Sequence, residues 1–321
     1  MGGSTKQALL QALSAAEGAY ISGQQLAEAL GVSRAAVHKA AQALSAQGYA
    51  LDSAPRRGYR LAGGDPFCAD AVGPYPAPIH IYDTLQSSNL TAKQLALGGA
   101  PHGTLVLTAH QKAGRGRLGR RFESPAGKGV YLSLILRPAL SAADAQSVTI
   151  SAAVAVARAV KALCGLELGI KWVNDLYYQG RKVCGILTEA GTDMECGQLE
   201  WLVVGIGLNL TTSSADWPEE LARTAGSLYP GGPAPVSRAV LAGAIRPGAA
   251  LPLPGLRLSG RVPGPLVLCR ATWVTVCTGA ETYAAKALSI DDAGRLVVER
   301  EGGRQIALQH GEVSIRPTRT G

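Results

Sequence analysis

A glycine- and arginine-rich segment, GRGRLGRR (114–121), is the part of this 321-residue chain best suited to bind an anion. Glycine lets backbone N–H groups approach a ligand closely, and arginine supplies forked donors for phosphate or carboxylate oxygens. The glycines also match the dinucleotide fingerprint G-x-G-x-x-G, but that fingerprint requires a helix directly after it, and here a turn-rich stretch and a strand follow. We predict a loop that folds over an anionic ligand; an RNA-binding loop or a solvated basic turn is the alternative.

Two further segments place polar groups at strand ends. KWVNDLY (171–177) concentrates a lysine, an amide and a carboxylate where a strand meets a turn, a usual place for ligand-binding groups. GIGLNL (205–210) is a strand in which positions without side chains would let a ligand lie against the backbone. Each segment alone is weak evidence. For Asn174 and Asn209 a turn cap or a strand-end hydrogen bond is the alternative.

The elements that must position these segments are strands alternating with helices. Strands are predicted at 80–82, 104–108, 130–136, 168–172, 182–190 and 199–208, and helices over 88–96 and 143–164. Near the C-terminus the alternation of apolar and polar residues predicts a small antiparallel barrel with strands at 283–288, 296–299, 305–308 and 313–315.

The first sixty residues have the pattern of a winged helix-turn-helix. Helices are predicted over 5–16, 23–30 and 34–47, the last two capped by Ser22 and Ser33, with wing strands at 49–52 and 59–61. The third helix would present to base edges Ser33, Arg34, Ala35 and His38. Six basic residues stand against three acidic ones in residues 1–64, namely Lys6, Arg34, Lys39, Arg56, Arg57 and Arg60. We predict DNA binding, with wing arginines Arg56 and Arg57 near phosphates; a helical protein-interaction domain is the alternative.

As a set and in this order, the segments resemble the bifunctional biotin protein ligases that also act as biotin-operon repressors. The resemblance covers about residues 5–245 and 278–317 and rests, besides the winged helix, on GRGRLGR (114–120), KWVNDLY (171–177), KVCGILTE (182–189), GIGLNL (205–210) and GEVSIRP (311–317). It implies an α/β multidomain fold. The implied parts are a winged helix-turn-helix at 1–64, a linker at 65–78, a mixed α/β ligase domain like the class II aminoacyl-tRNA synthetases at 79–268, and an SH3-like β-barrel at 269–321.

The resemblance implies a biotin–[acetyl-CoA-carboxylase] ligase that uses biotin, ATP and Mg²⁺. Biotin and MgATP would give biotinyl-5′-adenylate, and a lysine of a biotin carboxyl carrier protein would then take the biotinyl group. The implied catalytic residues are Lys171, Arg115, Arg117 and Asp175, with Lys171 bridging the biotin carboxylate and the α-phosphate. The implied biotin-binding residues are Ser87, Ser88, Asn89, Gln111, Arg115, Gly116, Arg117 and Lys171. The implied ATP-binding residues are Arg117, Arg120, Phe122, Asn174 and Asn209. No protein-bound metal site is implied.

Residues 246–277 depart from the family. No Asp or Glu occurs between Leu221 and Ala280, and eight of the eighteen prolines fall between 230 and 265. The stretch 246–273 has no helical period and is expected to stay irregular. The segment 246–277 is either translated out of frame between two compensating shifts or a genuine divergent linker. If it spoils the fold, the alternative function is a biotin-sensing, DNA-binding repressor with impaired ligase activity.

The amino-acid composition argues against a membrane-spanning or a secreted protein. The chain is 47% apolar and 17% charged, a globular balance, and lacks an apolar run of about 18 residues or a signal-peptide start. We therefore expect a cytoplasmic protein that does not bind membranes, and the resemblance implies a homodimer when adenylate is bound. The six cysteines show no metal-ligand spacing and are expected to be buried hydrophobes. A net charge of +8 suits nucleic acid or a phosphorylated substrate without requiring either.

Overall fold

The computed structural model describes residues 5–138, 145–192, 198–245, 267–268, 272–278, 281–291, 293–308 and 312–314. The chain divides into two units. One unit comprises residues 1–74 and 236–240, and the other comprises residues 75–235 and 241–321.

Three packed helices, a hairpin and a short fourth helix lie in the N-terminal unit. Its elements are α1 (Thr5–Ala15), α2 (Gly23–Leu30), α3 (Arg34–Ala46), β1 (Tyr49–Ala54), β2 (Gly58–Gly64) and α4 (Ala69–Val72). The apolar faces of the first three helices meet in a core made of Leu9, Leu13, Leu26, Ala27, Val37, Ala40, Ala41 and Leu44. Ser22 accepts a hydrogen bond from Gln25 N–H, and Ser33 accepts one from Ala36 N–H, so both predicted N-caps are confirmed. The helix-turn-helix and its wing are thus present as predicted.

A seven-stranded mixed sheet forms the centre of the second unit. Its strands are β3 (Ile79–Tyr82), β4 (Leu105–Thr108), β5 (Gly129–Leu136), β6 (Gly169–Lys171), β7 (Asp175–Tyr178), β8 (Arg181–Thr192) and β9 (Leu199–Asn209), in the order β3-β4-β5-β9-β8-β7-β6. Only β3 and β4 pair in parallel; the other neighbours are antiparallel. The central strands β5 and β9 are almost wholly buried, which explains their continuous apolar sequences. Strand β7 was not predicted from the sequence.

Two helices pack on this sheet, α5 (Ser88–Leu97) and α6 (Ala145–Cys164). The short helices α7 (Glu219–Ala222) and α8 (Arg238–Ala244) follow β9 in the chain. Helix α6 is long and apolar enough to cross a membrane, but 72% of its most apolar 18-residue stretch is buried inside the unit. It packs on β6, β7, β8 and β9.

A five-stranded antiparallel sheet ends the chain. Its strands are β10 (Trp273–Cys277), β11 (Thr282–Ile290), β12 (Leu296–Glu299), β13 (Gln305–Leu308) and β14 (Glu312–Ser314), in the order β13-β12-β11-β10-β14. The predicted strands from residue 283 onward agree with β11 to β14, except that residue 315 lies outside the described residues.

Strand β10 begins at the last residue of the 246–273 stretch that was expected to stay irregular. Val274 and Val276 alternate with less buried residues and face the core, and β10 pairs with both β11 and β14. Leu268 N–H also bonds to the Ile170 carbonyl at 3.0 Å. The expectation was wrong at Trp273, and no strand was predicted at 274–277 because the short alternating pattern was overlooked beside the proline-rich stretch. Residues 246–266 and 269–271, on which the remainder of that expectation falls, lie outside the described residues.

Candidate functional site

A cavity of about 440 Å³ opens in the second unit, a size suited to a small-molecule ligand. Its walls come from the start of α5, the arginine loop (114–121), the β6–β7 turn and the middle of β8 and β9. Every residue that the resemblance assigns to the ligase reaction lines this one cavity, namely Ser87, Ser88, Asn89, Gln111, Arg115, Gly116, Arg117, Arg120, Phe122, Lys171, Asn174, Asp175 and Asn209. Their positions in the sequence span more than a hundred residues, so the fold brings them together.

Two glycines of β9 shape the floor of the cavity in an unexpected way. A Cβ atom on Gly205 would overlap the side-chain amide of Asn89, and one on Gly207 would overlap the ring of Phe122. Where a ligand lies relative to this backbone stays a prediction, since Gly205 and Gly207 both line the cavity beside these side chains. The glycines make room for protein side chains, and those side chains in turn face the cavity.

The start of α5 is tied to Gln111 by buried hydrogen bonds. The backbone N–H and the hydroxyl of Ser88 both donate to Gln111 Oε1, at 2.9 and 3.1 Å. Gln111 Nε2 donates to Ser124 Oγ at 2.8 Å. Because Ser87 and Ser88 are both almost fully buried, their orientation is set by packing as well as by these bonds.

Asn89 uses its whole amide inside the protein. Its Nδ2 donates to the Leu187 carbonyl at 3.2 Å and to Glu189 Oε2 at 2.9 Å, and its Oδ1 accepts from Ser133 Oγ at 2.6 Å. Asn89 therefore holds Glu189 and the pocket wall in place. The sequence analysis named neither Ser133 nor Glu189 as a site residue, although Glu189 closes the KVCGILTE segment.

The arginine loop is held by partners distant in sequence. Arg115 Nη1 lies 3.3 Å from Glu189 Oε1, and Arg117 Nη1 donates to Asn174 Oδ1 at 3.1 Å. The loop closes on itself through Gly116 N–H, which donates to the Arg120 carbonyl at 2.8 Å. Two of its arginines are thus aimed at the cavity by an acid and an amide.

The β6–β7 turn carries Lys171, Asn174 and Asp175. Asn174 Nδ2 donates to Asp175 Oδ1 at 3.0 Å and to the Ile186 carbonyl at 3.2 Å, and Asp175 Oδ1 lies 2.6 Å from Lys182 Nζ. Asn174 is therefore more than a turn cap, because it joins the turn to both β8 and the arginine loop. In the part of the chain that the structure describes, Lys171 has no ion-pair partner, so its charge is available to a ligand.

Asn209 and the segment after it complete the cavity. Asn209 Nδ2 donates to the Gly226 carbonyl at 3.0 Å, while its buried Oδ1 has no partner among the described residues. A buried acceptor without a partner is costly unless a ligand supplies a donor. The opposite wall, which the sequence analysis missed, consists of Trp217, Leu221, Thr224 and Ala225. The one sequence feature that could have indicated this wall is Trp217, an aromatic residue in a polar stretch.

The cavity is strongly cationic. Six basic side chains line it against two carboxylates, Glu123 and Asp175; the basic ones are Arg115, Arg117, Arg120, Arg121, Lys171 and Lys182. Such a site attracts anions and stabilises negative charge that develops inside it. Cys184 lies buried beneath it on β8, where burial raises the pKa of its thiol, so this cysteine stays neutral and unreactive.

In the N-terminal unit, α3 shows the face expected of a recognition helix. Arg34, Ala35 and His38 are exposed on the side opposite the core, whereas the Ser33 hydroxyl is used as the helix cap. His38 Nδ1 lies 3.0 Å from the Tyr59 hydroxyl, which joins the helix to the wing.

The wing arginines differ in their partners. Arg57 and Arg60 lie over the Tyr20 ring, 4.3 and 5.0 Å from its centre. Arg60 also pairs with Asp52 at 2.6 Å. Lys6, another of the six basic residues, likewise pairs with an acid, so the unit is less basic towards a partner than the residue count indicates.

Three family models match the chain. The biotin/lipoate A/B protein ligase family matches residues 82–209, an HTH domain matches residues 5–60, and the biotin protein ligase C terminal domain matches residues 274–316. The three matches follow the order of the helix-turn-helix, the mixed sheet with its cavity, and the C-terminal sheet.

Whole proteins and a solved structure agree with these models. The bifunctional ligase/repressor BirA of Bacillus spizizenii is 34% identical over 307 residues, which cover 92% of this chain and 94% of that protein. BirA of Escherichia coli K12 is 32% identical over 201 residues, 61% of each protein. The biotin protein ligase from Aquifex aeolicus in complex with biotin and ATP shares the fold with a TM-score of 0.59 at 23% identity, covering 75% of this chain and 99% of that one. This chain therefore belongs to the bifunctional ligase/repressor family of biotin protein ligases.

Proposed function

We propose that this chain activates biotin with ATP and transfers it to a lysine of a biotin carboxyl carrier protein, and that it also binds operator DNA as a biotin-responsive repressor. The observation that carries the ligase proposal is the gathering of all thirteen assigned residues around one cationic cavity. Activation brings a carboxylate against a triphosphate, and two anions require such a surplus of positive charge.

In the first step, a biotin carboxylate oxygen bonds to the α-phosphorus of ATP and pyrophosphate leaves. Lys171 is the group we assign to the charge shared by carboxylate and α-phosphate, since it stands at a strand end in the cavity without an ion-pair partner among the described residues. Arg115, Gly116 and Arg117 would close over the adenylate and exclude water from the mixed anhydride. Asn174 supports this role because it already holds Arg117 at 3.1 Å.

Biotin would occupy the end of the cavity beside α5. Ser87 and Ser88 would offer polar partners to the ureido ring, and Gln111 would hold them in place through its two bonds from Ser88. Asn89, saturated by Ser133, Leu187 and Glu189, would shape this pocket more than it would contact the ligand.

ATP would occupy the end of the cavity beside Phe122. The Phe122 ring, seated on Gly207, offers a face for the adenine, with Trp217 in the same cavity. Arg120 would meet phosphate oxygens, and the buried Oδ1 of Asn209 would accept a hydrogen bond from the nucleotide or from the acceptor lysine.

Mg²⁺ would enter with ATP as part of the substrate. Magnesium is usually held by one or two carboxylates together with substrate phosphates, so a cavity lined by the two carboxylates Glu123 and Asp175 fits it. Asp175 is the residue that would hold the ion, after exchanging some of its contact with Lys182. The ion would neutralise phosphate charge as pyrophosphate leaves.

In the second step, the carrier lysine attacks the biotinyl carbonyl and AMP leaves. We assign the reaction to a class II synthetase-like ligase domain at 79–268, followed by an SH3-like domain at 269–321 that supports substrate binding. The winged helix-turn-helix at 1–64, joined by a linker at 65–78, would contact DNA through Ser33, Arg34, Ala35, His38, Arg56 and Arg57. Adenylate-bound protein would dimerise on an operator in the cytoplasm.

The test is biotin transfer to a purified carrier domain with ATP and Mg²⁺, using the full chain. Labelling of the carrier lysine, absent when either ATP or biotin is omitted, is the expected result. Biotin binding without labelling would replace the ligase by the sensor with impaired activity. Failure to bind biotin at all would contradict both.

A further inference from the structure

The strand that carries Lys171 has little support from its own sheet. Strand β6 is three residues long, lies at the edge of the seven-stranded sheet and pairs within it only with β7. On its outer side Ile170 is bridged by Val267 and by the N–H of Leu268, and the described residues offer no further strand there. A short edge strand held by so few bonds frays easily. A lysine that must stand within a few tenths of an ångström of its target needs a firmer anchor than this.

The residue after Lys171 finds that anchor in the C-terminal sheet. The buried indole N–H of Trp172 donates to the carbonyl of Gly294 at 3.0 Å, although the two residues are 122 positions apart. Gln146 Nε2, from α6, donates to the same carbonyl at 3.4 Å. Trp172 also lines the cavity, so one side chain contacts both the reaction site and the neighbouring sheet.

The residues around Gly294 are held by several hydrogen bonds to Asp291. Asp291 Oδ1 accepts from the N–H groups of Ala293 and Arg295, at 3.0 and 2.9 Å, and its Oδ2 accepts from Arg295 Nε at 2.7 Å. The Asp291 N–H donates to the Arg295 carbonyl, and the Gly294 N–H donates to the Asp291 carbonyl, both at 2.9 Å. Gly294 has φ +76°, and a Cβ there would stand 3.2 Å from Ser147 Cα of α6. Gly294 therefore has no room to shift towards α6.

We propose that Asp291, Gly294 and Arg295 together form a positioning device for adenylate formation, which holds Trp172 and thereby fixes Lys171 in the cavity. Asp291 and Gly294 are positioning residues that act through Trp172 and do not touch substrate. The inference rests on the proposed role of Lys171, and it gives the C-terminal sheet a specific part in the first chemical step.

Two glycine-to-alanine variants test it. Gly294→Ala adds a methyl group at positive φ against α6, whereas Gly303→Ala adds one at φ +84°, in another turn of the same sheet, where nothing lies within 4 Å. Both should lose stability through the same backbone cost. Only Gly294→Ala should slow biotin-dependent pyrophosphate release, by about tenfold, because only it displaces the Trp172 anchor.

A spectroscopic readout separates the contact from the chemistry. The chain has four tryptophans, so ¹⁵N NMR should show four indole N–H signals, and Trp172→Phe assigns the one from Trp172. That signal should move in Gly294→Ala and stay in place in Gly303→Ala. Trp172→Phe keeps an aromatic ring while removing the donor, so it serves also if Gly294→Ala does not fold. The double variant should be no slower than the slower single variant.

Three results would overturn the proposal. These are an unmoved Trp172 signal in Gly294→Ala, equal pyrophosphate release in the two glycine variants, and rate losses of Trp172→Phe and Gly294→Ala that multiply. A wild-type protein that releases no pyrophosphate would overturn the proposed ligase reaction, and this inference with it. Normal wild-type release with equal glycine variants would overturn the inference alone.

Discussion

The wing and the arginine loop are both basic turns, yet their guanidinium groups have different partners. In the wing, Arg57 lies 4.3 Å above the Tyr20 ring. In the loop, Arg117 donates to the Asn174 amide. An aromatic face supports a guanidinium without using its N–H donors, whereas an amide uses one and fixes its direction. The first arrangement suits a long polyanion met in many registers, and the second suits one small ligand met in a single pose.

Lys171→Ala should give the largest effect and test whether the two regions are independent. Removing a charge that stabilises the reacting anions should lower adenylate formation by about 10²- to 10³-fold. Binding to a mixed-sequence DNA duplex, measured without biotin and ATP, should not change. Lys161→Ala, at an exposed pair with Glu167, is the matched control and should keep full activity. Loss of DNA binding in Lys171→Ala would show that the wing and the cavity are not independent.

The double variant Arg56→Ala/Arg57→Ala should affect DNA alone. Two lost phosphate contacts should reduce the slope of log K against log salt by about 2, with weaker binding to every sequence. Biotin transfer should stay at the wild-type rate, because both residues belong to the N-terminal unit. An unchanged salt slope would remove the wing from the DNA interface.

Tyr20 tests the aromatic support in the wing. Tyr20→Leu should weaken DNA binding about threefold, the size of an exposed cation–π contact, while Tyr20→Phe should retain wild-type affinity. Equal losses in both variants would point to the hydroxyl instead of the ring. Gel-shift titrations at two salt concentrations are sufficient for this measurement.

Asp70 gives the smallest effect, on stability. Its hydrogen bond from Lys6 lowers the pKa of this carboxyl below the ordinary value. A lowered folded-state pKa contributes stability above about pH 4, which is lost as the pH falls and the unfolded chain takes up the proton first. Asp70→Asn should therefore lower the thermal midpoint by about 1–2 °C at pH 7 and by less at pH 3. Glu17→Gln is the control, and a difference that does not depend on pH would contradict the assignment.

The regular elements could be predicted because their patterns are local. The spacing of Leu9 and Leu13, the serine caps and the apolar run of β5 each encode their element within a few residues. The gathering of site residues followed only from the resemblance. No periodicity shows that Arg117 and Asn174, 57 positions apart, share a hydrogen bond.

What the sequence could not show is which polar groups serve the protein and which are left for a ligand. Gly205 and Gly207 were predicted to let a ligand lie against the backbone. The side chains next to them are Asn89, from α5, and Phe122, which follows the arginine loop. Glu189 gave no signal of its own, since its partners Asn89 and Arg115 are set by tertiary packing. Strand β10 was missed because its proline-rich neighbourhood outweighed a five-residue alternation.

The two β9 glycines also set a spacing inside the cavity. Alternate residues on one strand face are about 6.7 Å apart, so the Asn89 end and the Phe122 end are separated by a length that covalent geometry fixes. The strand therefore sets how far apart the Asn89 and Phe122 side chains are seated along the cavity, whatever position the arginine loop takes.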